Sequence, residues 1–151
     1  MTPATDPGPE RTPQRADLIG AWQLVRFHSA LPDGRTVEPY GPRPLGTLIY
    51  TESGRMSAAL CSPDRGDFGG AEFETAARAS DEDKVRAFTG YTSYAGTFSV
   101  VGDEVCHDID IALVPSMIGR RVCRTARLGA GGLLLSYTHG AVTSTLRWRR
   151  A

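Results

Sequence analysis

Hydrophobic and polar positions alternate most regularly between Tyr94 and Leu113, in two arms around the turn Val101-Gly102-Asp103-Glu104. A period of two on both sides of such a turn predicts a β-hairpin. In the second arm Val105, Ile109, Ile111 and Leu113 fall on one parity and Cys106, Asp108, Asp110 and Ala112 on the other, as a strand with one buried and one solvated face requires. His107 lies on the apolar parity. In the first arm Tyr94, Phe98 and Val100 share a face with Gly96, so Tyr94, Phe98 and His107 are expected to point inward together.

The same pattern recurs along the chain in shorter runs. An apolar-rich segment starts near Asp17, but Trp22, Leu24, Arg26 and His28 share one parity and Ala21, Gln23, Val25 and Phe27 the other, so alternation does not assign its inward face. Pro32-Asp33-Gly34 is a turn, and Arg35 to Glu38 allows a short strand. Residues 45–61 form a second hairpin around Glu52-Ser53-Gly54, with Leu48 and Tyr50 on one face of the first arm and Met56, Ala58 and Leu60 on one face of the second. The small residues Ser57, Ala58 and Ala59 suggest close packing or free space beside that strand. Ser62 to Ala79 reads as a loop. A helix is expected from Ser80, where Ser80 and Asp83 resemble a capping box and Val85, Phe88 and Tyr91 make a helical stripe; such a helix would plug or cover one end of a sheet. After Pro115 to Gly119 come three more strand-like runs separated by Gly129 to Gly132 and by His139-Gly140. In the first of them Val122, Ala126 and Leu128 share a parity with Arg124. About eight strands joined by tight turns predict an all-β antiparallel meander, and eight is a number at which a meander closes into a barrel.

Composition narrows the function more than the fold. At 151 residues the chain suits one domain, expected over 17–151 after a disordered tail at 1–16. Seventeen basic residues balance seventeen acidic ones, without blocks of like charge beyond Arg147-Trp148-Arg149-Arg150, so a nucleic-acid surface is not indicated. The tail holds four prolines and no apolar run, which reads as neither a signal peptide nor a membrane span; a soluble, cytoplasmic protein is expected. Cys61, Cys106 and Cys123 are odd in number and widely spaced, indicating neither a disulfide framework nor a zinc site. His28, His107 and His139 lie far apart, and no metal or cofactor is expected.

G-A-W-Q-L-V at 20–25, P-L-G-T-L-I-Y-T-E-S-G-R-M-S at 44–57 and G-Y-T-S-Y-A-G-T-F at 90–98, with the V-x-H of Val105 to His107 and the P-x-x-x-G of Pro115 to Gly119, resemble the lipocalin-like domain family of bacteria and fungi. The likeness spans roughly 17–149. It implies an eight-stranded up-and-down barrel around a lipophilic cavity, in which Gly20 and Trp22 match the lipocalin G-x-W and the Trp packs at the closed end against an arginine of the last strand, here Arg147 or Arg149. Such domains occur beside polyketide pathways, where small β-barrels resemble cofactor-free cyclases.

Two functions follow as expectations. In the first the protein is a cofactor-independent cyclase or isomerase, including cycloaddition, that folds a hydrophobic polyketide-type intermediate into a reactive conformer, with His107 and Tyr94 as catalytic groups hydrogen-bonding a carbonyl or, for His107, acting as general base. In the alternative it binds or carries a small lipophilic metabolite without turnover. Trp22, Tyr50, Met56, Tyr91, Phe98, Ile109, Arg124, Tyr137 and Trp148 are the candidate ligand contacts. An inward Arg124 is costly unless paired, so it meets a ligand carboxylate or, after a register shift, Asp108 or Asp110; otherwise its face is misassigned and it points outward. The partner is a small hydrophobic molecule, with no nucleic acid and no membrane; strand edges and the helix leave a homo-oligomer open.

Overall fold

The computed structural model describes residues 9–151. Its strands are β1 (Gly20–Ala30), β2 (Thr36–Val37), β3 (Leu45–Tyr50), β4 (Arg55–Cys61), β5 (Tyr91–Val101), β6 (Glu104–Ala112), β7 (Arg121–Gly129), β8 (Gly132–His139) and β9 (Val142–Arg150). From β3 onward each strand pairs antiparallel with the next, β1 pairs with β3, and β9 returns to β1. Eight strands therefore close into a barrel, and the two-residue β2 lies beside the far end of β1.

Two bulges decide which side chains face inward. Against β9, Leu24 pairs with Trp148 and Arg26 with Arg147, which leaves Val25 as an extra residue in β1. A one-residue bulge reverses the parity of everything after it. Trp22 and Leu24 are buried below the bulge, Ser29 above it, where its hydroxyl meets that of Ser144 at 2.8 Å. The second bulge sits in the central hairpin: Ala95 faces Ile111 but Gly96 faces Ile109, so Asp110 is extra. A side chain at Gly96 would run into the carbonyl of Asp108. Ile111, expected inside with Ile109, is consequently turned out and is 63% exposed.

One end of the barrel is closed. The short helix α1 (Arg15–Leu18) inserts Leu18, and the Trp22 indole N–H donates to the Leu18 carbonyl at 2.9 Å. Arg150, rather than Arg147 or Arg149, covers the Trp22 ring at 4.0 Å, its guanidinium donating to the carbonyls of Ile19 and Asp17. The bulge in β1 shifts the pairing so that Arg150 is the residue opposite Trp22. Order begins before the boundary expected at residue 17. Arg11 exchanges two backbone hydrogen bonds with Leu128, at 2.9 and 2.7 Å, and Pro13 is buried. The part of the expected tail at 1–8 lies outside the described residues.

The helical insertion departs from expectation in a different way. It forms two helices, α2 (Phe73–Ala77) and α3 (Asp81–Thr89), and neither buries a residue. Ser80 does cap α3, accepting from the Asp83 N–H at 3.1 Å, and three acidic residues in the first turn suit the helix dipole. The expected apolar stripe is nonetheless open to solvent, with Val85 61% and Phe88 48% exposed, and Tyr91 already belongs to β5. Instead of plugging the barrel, α3 is held at its flank by Arg86 to Asp64 and by Arg65 to the Ala87 carbonyl.

Cys106 and Cys123 sit opposite one another on β6 and β7 and are joined by a disulfide, with Cα atoms 4.0 Å apart. Spacing along the chain conceals this, because the partners meet only through the register of adjacent strands. Cys61 is free. The closed loop has a sequence separation of 17, for which chain-entropy arguments give roughly 3 kcal/mol of stabilisation. Urea denaturation with and without a reductant, beside the double variant Cys106→Ser/Cys123→Ser, should therefore show a loss of about 2–4 kcal/mol; equal midpoints would mean that the bond contributes nothing.

Candidate functional site

Away from α1 the barrel holds a cavity of about 310 Å³. At about 30 Å³ of liquid per water it has room for a molecule displacing roughly ten waters. Most of its wall is aliphatic or aromatic, from Leu48 of β3, Ala58 and Leu60 of β4, Leu135 of β8, and Phe27 and Leu146, which face each other across β1 and β9. Tyr40 reaches in from a loop and meets Phe27 edge-on, ring centres 5.4 Å apart. Met117 comes from the 3-10 turn Pro115–Met117.

Polar chemistry is concentrated on one side. His107 is 1% exposed and lies between two tyrosines, its Nε2 2.8 Å from the Tyr50 hydroxyl and its Nδ1 3.0 Å from that of Tyr94. The inward parity of Tyr94 and His107 delivers this arrangement, since Phe98 and His107 are direct cross-strand partners and Tyr50 packs on Phe98 with ring centres 4.6 Å apart. Burial pushes the His107 pKa down to about 3, and the neighbouring Arg124 charge acts in the same direction. Burial likewise raises both phenols, Tyr50 far above its usual value; at Tyr94 the Arg124 charge opposes the rise. All three groups are neutral at neutral pH. With both ring nitrogens occupied and protonation so disfavoured, His107 is not placed to act as the general base considered from sequence.

Arg124 does point inward, as its parity implied. Asp108 is taken by Arg121 and Asp110 by Arg55, so neither meets it. Its guanidinium lies 4.1 Å over the Tyr137 ring and donates to the Cys123 carbonyl at 3.2 Å, and it is near enough to the Tyr94 hydroxyl to act on it. Among the described residues no carboxylate pairs with it. The indole N–H of Trp148, another lining residue, also lacks a partner among the described residues. Beside Arg124 the barrel wall is incomplete. β7 and β8 pair only from Thr125–Ser136 to Gly129–Gly132, so Arg121 to Arg124 bond to β6 alone and Tyr137 to His139 to β9 alone. A surface cleft opens there, and Arg124 and Tyr137 line both the cleft and the cavity.

Of the residues singled out in the sequence, Tyr94, His107, Arg124, Tyr137 and Trp148 come together on the cavity, and Tyr50 stands directly behind His107. Trp22, Met56 and Phe98 are buried in the packed part of the core, and Ile109 is buried without lining the cavity. Tyr91 faces outward beneath Arg65, 4.8 Å from the ring centre. Phe27 was hidden by the β1 bulge; Tyr40 and Met117 come from irregular segments that carry no periodic signal. Glu104, Cys106 and Cys123 lie close enough to share an ion, but two of the three are bonded to each other.

A closed antiparallel barrel with an apolar cavity and a few convergent polar groups has the architecture of a lipocalin-type barrel. The model of the lipocalin-like domain matches residues 19–151, and the chain belongs to that family. Similar solved structures include a lipocalin-like protein from Bacteroides uniformis, 16% identical over 87% of this chain and 97% of that one with a TM-score of 0.43. An uncharacterised protein from Bacteroides eggerthii is 14% identical over 87% and 98%, TM-score 0.44. The fluorescent protein UnaG is 15% identical over 91% and 100%, TM-score 0.43. No curated protein matches the sequence. No helix among the described residues is long and apolar enough to cross a membrane.

Proposed function

We propose that the barrel binds a small, largely apolar molecule carrying a carbonyl or carboxylate at the end that meets Arg124 and Tyr94. The observation that carries this is Arg124 itself. A guanidinium turned into an apolar cavity is stable only with compensation, and the Tyr137 ring supplies a cation–π contact but no negative charge. A ligand oxygen would complete its coordination, and a carboxylate would do so bidentately. Calorimetric titration with 2-naphthoic acid, 2-acetylnaphthalene and 2-ethylnaphthalene tests the reading. The acid should bind at least tenfold more tightly than the hydrocarbon, and Arg124→Met should remove most of that difference, since hydrogen bonds to a charged group are worth about 1.5–3 kcal/mol. Equal affinities for the three, or no binding of any, would rule the reading out.

Turnover is the second reading, favoured by the hydrogen-bonded row from Tyr50 through His107 to Tyr94. A donor fixed in an apolar cavity stabilises charge that builds on a carbonyl oxygen, which is what a cofactor-independent cyclisation, isomerisation or cycloaddition of a polyketide-type intermediate would use. Incubation with a lipid extract of the producing organism, followed by mass spectrometry and chromatography of isomers, separates the two. Conversion beyond one equivalent that slows in Tyr94→Phe supports an enzyme; retention of an unchanged compound supports a carrier. As for location, the disulfide weighs against the cytoplasm expected from the tail, since such bonds persist mainly in oxidising compartments.

A further inference from the structure

The protons of the Tyr50, His107 and Tyr94 group are fixed by a scarcity of acceptors. Tyr50 is 1% exposed, and among the described residues its hydroxyl meets only His107 Nε2. If Nε2 carried the imidazole proton it would donate to the Tyr50 oxygen, and the Tyr50 O–H would then have no acceptor among the described residues. A buried donor left unpaired loses its hydration without replacement. Tyr50 therefore donates to Nε2. A neutral imidazole with Nε2 as acceptor carries its proton on Nδ1, and that N–H donates to the Tyr94 oxygen. The Tyr94 O–H is then required by no protein group, and Tyr94 lines the cavity.

We propose that Tyr50 is a positioning residue that holds His107 as the Nδ1–H tautomer, so that Tyr94 presents a hydrogen-bond donor to the cavity and the site selects ligands by an accepting oxygen. The neighbouring groups agree with this polarity, because Arg124 and the Trp148 indole are donors only. Donors thus predominate at this end of the cavity, and a ligand ammonium would meet the Arg124 charge there. Successive donation from Tyr50 to His107 to Tyr94 polarises each bond by the one before it, which strengthens the last donor. The depressed pKa of His107 keeps the imidazole neutral, as the assignment requires.

The tautomer can be read in the free protein and needs no ligand; the selection of an accepting oxygen rests on the ligand reading above. Long-range ¹⁵N–¹H correlation spectra of labelled protein distinguish Nδ1–H from Nε2–H for His107. Native protein and Tyr94→Phe should both show Nδ1–H, because Tyr50 is intact in each. Tyr50→Phe should populate the Nε2–H form, as the Tyr94 proton becomes free to compete for Nδ1. Nε2–H in the native protein overturns the assignment, as does a tautomer that follows Tyr94 rather than Tyr50. In a second arm, 2-acetylnaphthalene should bind native protein at least fivefold more tightly than 2-ethylnaphthalene, and Tyr94→Phe should abolish the preference. Nδ1–H without that preference would leave the tautomer standing and overturn the selection of an oxygen, whereas failure of all naphthalene probes to bind would strike the ligand reading alone.

Discussion

Between pH 7 and pH 4.5 the barrel is expected to lose roughly 2–3 kcal/mol of stability through His107 alone. In the folded chain this imidazole has a pKa of about 3, against 6.5 for the ordinary side chain. The unfolded chain therefore takes up a proton as pH falls through 6.5, while the folded chain resists until about pH 3. Stability is complete above the unfolded value, falls across that window, and stops changing through this group below the folded value. The physical cause is that a charged imidazole would be desolvated beside Arg124, and one ring nitrogen would have to give up accepting from a tyrosine. Carboxylates such as Asp108 and Asp110, held below their usual values by Arg121 and Arg55, enter only at lower pH. His28 is also lowered, chiefly by burial, and stability is lost through it in the same direction as pH falls. The informative measurement is thus the difference between native protein and His107→Gln in urea unfolding at several pH values. If the variant loses as much as the native protein between pH 7 and 4.5, His107 is not the buried neutral group described.

Trp22→Ala should cost about 3–5 kcal/mol, as for a large aromatic residue removed from a packed core. Trp22 is 2% exposed and closes one end of the barrel between Leu18 and Arg150. Truncation opens a void, leaves the Leu18 carbonyl without its indole donor, and removes the surface on which the Arg150 guanidinium rests. Arg150→Met keeps much of the aliphatic stem over the ring and should cost no more than about 1–2 kcal/mol, the order of one cation–π contact. Denaturant midpoints of both variants check the pair. A Trp22→Ala loss below about 1 kcal/mol would contradict its role in closing the barrel.

The local features of the fold were legible wherever one rule governed a segment. The two hairpins, the Ser80 cap and the inward pairing of Tyr94 with His107 followed from alternation and turn chemistry. Legibility failed where parity changes inside a strand: Phe27 and Ile111 were misplaced or unplaced because Val25 and Asp110 are extra residues that alternation does not announce. It failed again where long-range register decides, as for the Cys106–Cys123 bond and for Arg150 over Trp22. The helix stripe of α3 misled for another reason, since amphipathic spacing states what a helix can bury and not whether a surface is there to receive it. In the cavity, inward polar residues on regular strands were found, while Tyr40 and Met117 were not, because loops place side chains by their own geometry.

Val25 illustrates how little of a residue's importance need lie in its side chain. It points outward, 42% exposed, and many other residues would serve in its place. What the position supplies is one extra residue in the ladder, and with it a break in the alternation of β1. Deleting Val25 would let Leu24 and Arg26 keep Trp148 and Arg147 as partners in a plain ladder with Phe27 and Ser29 still inward, whereas a β1 of its present length paired without a bulge would turn Phe27 and Ser29 out to water and bring Arg26 and His28 against the cavity. This wall of the barrel can therefore lose a residue at the bulge, but it cannot pair as a regular strand of its present length without turning the site inside out.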